Sequence, residues 1–277
     1  MGALELRNTE IRIQRTGGSS VYKYRANEVK VARVVVNSLA PKDPYGGVVT
    51  HRQTAWAWQI STLKEMTLSE AKLLGLTGLG SILNPDTDPP SFTIEMTTPD
   101  GINRRFIDCA MTSITIPTEK RGLVALETNY NCRIARETFD PLVVTVEEPA
   151  HRPISGLDCS VYIDDVQVDT YAAQIEISRP EYIPTNFDTH GEARSFKNAG
   201  RWNATIVLSL AGENFPVNNP IERHKVKIVY GNIGSITAPT LFQMKANQTM
   251  VADDFDDRII MGRAEVAPQS NFLELVF

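Results

Sequence analysis

The sequence predicts a mainly β protein, a sandwich or barrel with a short helix per unit, in which one fold unit occurs twice in tandem. Three observations carry that expectation. Apolar and polar residues alternate with period two in short segments along the whole chain. Gly, Pro, Asn and Asp clusters separate those segments. The order of segments in the first half is repeated in the second. Period-two alternation is the signature of strands with one buried and one solvated face.

Taken in order, Val29, Val31 and Val34 to Val36 form a β-branched run. Thr54 to Leu63 alternates, with Trp56, Trp58 and Ile60 on one face, because residues i and i+2 point the same way. Thr67, Leu68, Ser69 and Glu70 read as a capping box: the Thr67 hydroxyl takes an orphan N–H and Glu70 reaches back. Ala71, Leu73 and Leu74 follow and Gly75 ends the run, which predicts one helix. Asn84, Pro85 and Asp86, then Pro89 and Pro90, mark a loop. Strands are expected at Phe92–Met96, Met111–Ile116, Leu123–Tyr130 and Leu142–Val146. A polar stretch with two prolines, Glu147 to Pro153, reads as a linker. The units are therefore set at residues 1–150, with an N-terminal arm, and 151–277. Beyond the linker, strands are expected at Cys159–Ile163, Tyr171–Ile177, Asn203–Leu210, Val226–Tyr230 and Ile259–Met261.

The repeat rests on matched segments. Asn27 to Val31 overlies Asp164 to Val168 at an offset of 137, each read as an acid or amide turn before V-x-V. Ile60–Leu63 overlies Val207–Leu210 at an offset of 147, and Phe92–Ile94 overlies Val226–Ile228. Phe106–Ala110 overlies Phe242–Ala246 at an offset of 136, and the match continues without a gap to Tyr130. It sets the charged turn Thr118–Arg121 over Asp254–Asp257. One large β-sandwich and two unrelated β domains remain open as alternatives.

Composition excludes several classes. Hydrophobic residues make up 42% and charged residues 22%, which suits a packed domain and not a disordered chain. No apolar run approaches the ~20 residues of a membrane helix, and the first residues lack a signal-peptide pattern, so folding in a cytoplasm is expected. The net charge is −5, with no basic footprint for tight nucleic-acid binding. Cys109, Cys132 and Cys159 are odd in number and widely spaced; buried free thiols are expected, not disulfides or zinc.

Catalytic signatures are missing: there is no H-E-x-x-H, G-x-S-x-G or P-loop. Gly75, Gly78 and Gly80 lack the Lys and Ser/Thr of a phosphate loop. Asp188 and His190 supply half a metal site and suit a polar loop better. Asp253 to Asp257 is the densest acidic cluster, but without a glycine bend it reads as a solvated turn. No catalytic, cofactor or metal residue is assigned, and the chain is not expected to be an enzyme. Trp56, Trp58 and Trp202 read as core or interface aromatics, with stacking on sugars or bases as the sharper alternative.

The order of parts resembles the tail tube proteins of long-tailed bacteriophages, in a tandem-duplicated form. The resemblance covers about residues 25–146 and 157–277. It is carried by the V-x-V strand, the long polar loop, the strand, helix and strand, and the terminal hairpin. Ile175 to Pro180, the loop to Gly200, and Arg201 to Leu210 carry it most clearly.

The resemblance implies rings, typically of six units, stacked into a hollow tube whose inner strands join across subunits. Three chains of two units would give pseudo-sixfold symmetry. Double-stranded DNA would pass through without tight binding. The partners implied are other copies of the chain and other phage tail proteins, with no membrane and no cofactor. The location implied is the virion tail, assembled in the bacterial host cytoplasm. Asp108, Glu127 and Glu265 are lumen candidates. Trp56, Trp58, Trp202, Tyr182, Phe187 and His190 are interface candidates. The loops Ser38–Gln53 and Ser178–Gly200 are expected to reach the next ring. A distal tail, terminator or baseplate ring protein, and a carbohydrate-binding β-sandwich, are the alternatives.

Overall fold

The computed structural model describes residues 4–39, 53–66, 85–86, 88–97, 101–147, 152–179, 182–187, 193–198, 200–210, 223–252, 255–265 and 272–276. The first half supplies β1 (Leu4–Arg15), β2 (Val21–Leu39), β3 (Gln53–Glu65), β4 (Ser91–Thr97), β5 (Asn103–Glu119) and β6 (Ala125–Glu137). They run β1-β2-β3-β6-β5-β4, every neighbour antiparallel, and β4 returns to β1. This is a closed six-stranded barrel, which leaves these pairings no open edge along their shared length. Ile11, Ile13, Ile60, Phe92, Ile94 and Phe106 fill it and are buried almost completely.

The N-terminal arm is thus a barrel stave. Its alternation is broken, which hides it in the sequence. Leu6 is buried, and then Thr9, Ile11 and Ile13. The face changes at Asn8, whose φ is 51°, a conformation Asn tolerates better than most residues. The facing strand changes with it, from Tyr24 and Ala26 to Val29 and Val31. Asn27–Glu28 is therefore a change of face inside continuous β2 and not the expected turn.

The expected strand Leu142–Val146 reduces to β7 (Val146–Glu147), which pairs parallel with β2. The preceding segment is an irregular strap. The Glu95 carboxylate holds it by accepting from Leu142 N–H at 3.1 Å and from Arg105 at 2.9 Å.

The second half adds β8 (Cys159–Ile163), β9 (Val166–Val168), β10 (Thr170–Ser178), β11 (Tyr182–Phe187), β12 (Ala193–Asn198), β13 (Asn203–Leu210), β14 (Arg223–Tyr230), β15 (Gly234–Ala252), β16 (Phe255–Ala264) and β17 (Glu274–Val276). All but β11 and β12 belong to the same sheet as the barrel. The expected long loop Ser178–Gly200 holds a two-stranded hairpin, β11–β12. Among the described residues there is no α-helix; a 3-10 turn at Gly156–Asp158 follows its Ser155 cap. The helix expected at Thr67–Leu74 lies outside the described residues.

The pairing order β9-β8-β14-β15-β16-β13-β10, with β9 running into β10 across Asp169, follows the order of the first-half barrel. The expected residue offsets follow it only in part. Ile60 and Thr62 are buried, whereas the matched Val207 and Ser209 face outward between the buried Ile206, Leu208 and Leu210. An odd slip of register exchanges the two faces of a strand. Phe106 is buried and its match Phe242 is not. Val29 and Val31 are buried, while Val166 is 65% exposed. Phe92 and Ile94 do share their environment with the matched pair, Val226 and Ile228, and Leu126 and Thr128 share theirs with Gly262 and Ala264, all of them buried.

Candidate functional site: the sheet face shared by both halves

β5 has two successive partners on one edge. Residues Asn103 to Ala110 pair with β4, and Ser113 to Glu119 pair with β10. β10 in turn pairs with β13 on its other edge. A continuous path β3-β6-β5-β10-β13-β16 therefore crosses from one half to the other without a break. Beneath the seam, Ile114 and Ile116 stand opposite Ile177 and Ile175, all of them buried. The opposite face carries Ser113, Thr115, Glu127, Asn129, Gln174, Glu176 and Thr205, none of them buried. That face is polar, built mostly of small hydroxyl and amide side chains, with the carboxylates Glu127 and Glu176 and the exposed guanidinium of Arg263 opposite Thr205. Asn129 ties three strands together, accepting from Ser61 Oγ and donating to Ser113 Oγ at 2.8 Å.

Of the lumen candidates, Glu127 lies on this face, in register with Leu63 and Thr115. Asp108 sits at a positive φ of 52° where β5 skips a pairing, and its carboxylate accepts from Arg133 Nε at 2.7 Å. Glu265 lies just past β16 and accepts from Arg223 Nε at 3.0 Å. The structure does not bring the three together.

The interface candidates also separate. Trp202 is 1% exposed; it is a core residue, which corrects its reading as an interface residue. The Arg179 guanidinium stands 6.0 Å from its ring centroid, within cation–π reach. Trp58 is half-buried, edge-on to Phe106 at 5.8 Å. Trp56 lies in β3 opposite Val35. Tyr182 and Phe187 bound β11, opposite Asn198 and Ala193. Asp188, His190, Asp253 and Asp254 lie outside the described residues. Asp256 and Asp257, expected in a turn, belong to β16 and pair with Val251 and Met250.

The sequence reading missed the apolar side chains on the strap, Phe139 at 98% and Val143 at 78% exposed. It missed as well the polar face itself, whose signal was the polar half of each alternating strand.

Cys109 and Cys132 face each other in the β5–β6 register as buried free thiols. Burial, then the hydrogen bond to Cys109, pushes the Cys132 thiol well up. Burial also pushes the Cys159 thiol up to about 12. A polar cavity of about 140 Å³ opens between β8 and β10, lined by Thr118, Lys120, Cys159, Gln167, Asp169 and Tyr171. No group of three or more His, Cys, Asp or Glu with metal-binding geometry occurs among the described residues.

No family model matches the chain, and no curated protein matches it.

Proposed function

We propose that this chain is a structural subunit of a phage tail, assembling by itself into stacked rings that form a DNA-conducting tube. The observation that carries the reading is the seam between β5 and β10. One chain already joins two similarly ordered sets of strands edge to edge into one sheet. Repeating such a joint between chains gives a head-to-tail interface, which closes into a ring when the rotation allows. Three chains with two sets each would supply six around the ring.

The polar face suits a bore. Ser, Thr, Asn and Gln carry no charge to hold phosphate, and the carboxylates Glu127 and Glu176 outweigh Arg263 on that face. DNA would slide past such a wall without being held. The strap residues Phe139 and Val143 would contact the next ring, since large exposed apolar side chains mark association surfaces when they cluster. The protein would act in the virion tail, by assembly and not by catalysis.

Negative-stain microscopy of the purified chain tests the reading. Stacked rings or tubes are expected. Single rings that never stack would favour a terminator, distal tail or baseplate protein. A monodisperse monomer at high concentration would refute assembly. The carbohydrate-binding alternative loses its Trp202 platform, because that ring is inaccessible.

A further inference from the structure

Two long strands continue past their partners. β1 pairs with β2 only as far as Leu4↔Val31, while β3 follows β2 on its other edge to Leu39↔Gln53. Among the described residues, nothing pairs with Val35–Leu39 on the edge that β1 occupies lower down. Likewise, β14 pairs with β15 only as far as Arg223↔Phe242, while β16 follows β15 to Ala252↔Phe255. Among the described residues, nothing pairs with Gln243–Ala252 on the β14 edge. Open edges of this kind recruit further strands.

The seam inside the chain shows what fits them. β5 is the strand that outlasts β4, and its free part, Ser113–Glu119, is covered by β10. In pairing order β15 stands where β5 stands, outlasting β14 as β5 outlasts β4. β10, joined to β9, stands where the later part of β2 stands. We infer that Gln243–Ala252 of one chain pairs antiparallel with Val35–Leu39 of a second copy, continuing the β5–β10 seam from molecule to molecule. The two surfaces differ, so the contact is heterologous and propagates in one rotational sense. This inference rests on the assembly reading and names the edges that would serve it.

Two blocked variants and native mass spectrometry test it. Consecutive strand residues aim their N–H groups at opposite edges, so a proline pair removes one outward donor whatever the phase. Asn37→Pro with Ser38→Pro blocks the β2 edge. Gln248→Pro with Thr249→Pro blocks the β15 edge. Each variant alone should be a monomer. An equimolar mixture should give a dimer and nothing larger, because each supplies the one edge the other retains. Circular dichroism and melting curves check that both variants fold.

Hydrogen exchange on the unmodified chain provides a measurement independent of the variants. Peptides covering 35–39 and 243–252 should exchange roughly tenfold or more slowly in the assembly than in dilute monomer. If the unmodified chain stays monomeric, the assembly reading itself fails. If it assembles while both blocked variants also assemble, or while those peptides gain no protection, only the edge assignment is overturned.

Discussion

Individual side chains in this protein divide sharply by environment. Trp58 lies within β3 and Trp202 just before β13, and the first is half-open while the second is sealed. Trp202→Ala should cost about 3–5 kcal/mol, the range for a large aromatic removed from a packed core. Trp58→Ala should cost less, and urea denaturation of both variants checks the order. Asp164 is governed by competing effects. Burial would raise its pKa, but the hydrogen bonds from His224 and from Lys225 N–H outweigh this and hold it below the usual carboxylate range. A carboxylate lowered on folding stabilises the native state above its unfolded pKa of about 3.9, and that contribution fades as pH falls through the lower folded value. Asp164→Asn should therefore weaken the protein near neutrality and flatten its loss of stability below about pH 4. Melting temperatures from pH 7 down to 2 would show both effects. The buried thiols Cys109 and Cys132 should resist alkylation in native protein and label fully in denaturant, since the thiolate is the reactive form.

At the scale of elements, β5 is the hinge of the architecture. Its first part closes a barrel and its last part hands the sheet to the second half. Ile175, opposite Ile116 under that joint, is completely buried. Ile175→Ala should cost about 2–5 kcal/mol and increase amide exchange on both β5 and β10, which native-state exchange would detect. The end of β5 also packs closely against the 3-10 turn at Gly156–Asp158. A Cβ placed on Gly156 would lie 1.8 Å from the Glu119 carbonyl oxygen, so backbone would have to move. Gly156→Ala is expected to destabilise by about 1–3 kcal/mol or more, measurable by chemical denaturation. Neither contact is visible along the chain, because each joins residues brought together only when the two halves meet.

For the whole molecule, a single apolar cluster runs from Leu6 to Leu273 and includes Ile154, from the segment joining the halves. Ile154 N–H donates to the Met66 carbonyl, and the Ile154 carbonyl accepts from Val124 N–H. The chain should therefore unfold in one cooperative transition despite having the length of two ordinary domains; two resolved calorimetric peaks would contradict this. A fragment ending at residue 150 would leave the Ser113–Glu119 edge uncovered and should aggregate where the full chain does not.

Much of this was legible in the sequence. Alternation marked β3, β4, β6, β10, β13 and β14, because each buries one face against a common core and exposes the other to a polar surround. Charge and composition set the polar character of the surface. Where the chain changes face, as at Asn8, local periodicity fails and β1 escaped notice. The similar order of strands in the two halves was readable, but the phase of β3 against β13 was not, since an offset of one residue preserves the pattern while exchanging inside for outside. The pairing of β5 with β10, the burial of Trp202 and the closing of the barrel by β1 and β4 belong to the tertiary structure alone. Each depends on residues far apart in the chain finding one register, which local periodicity does not encode.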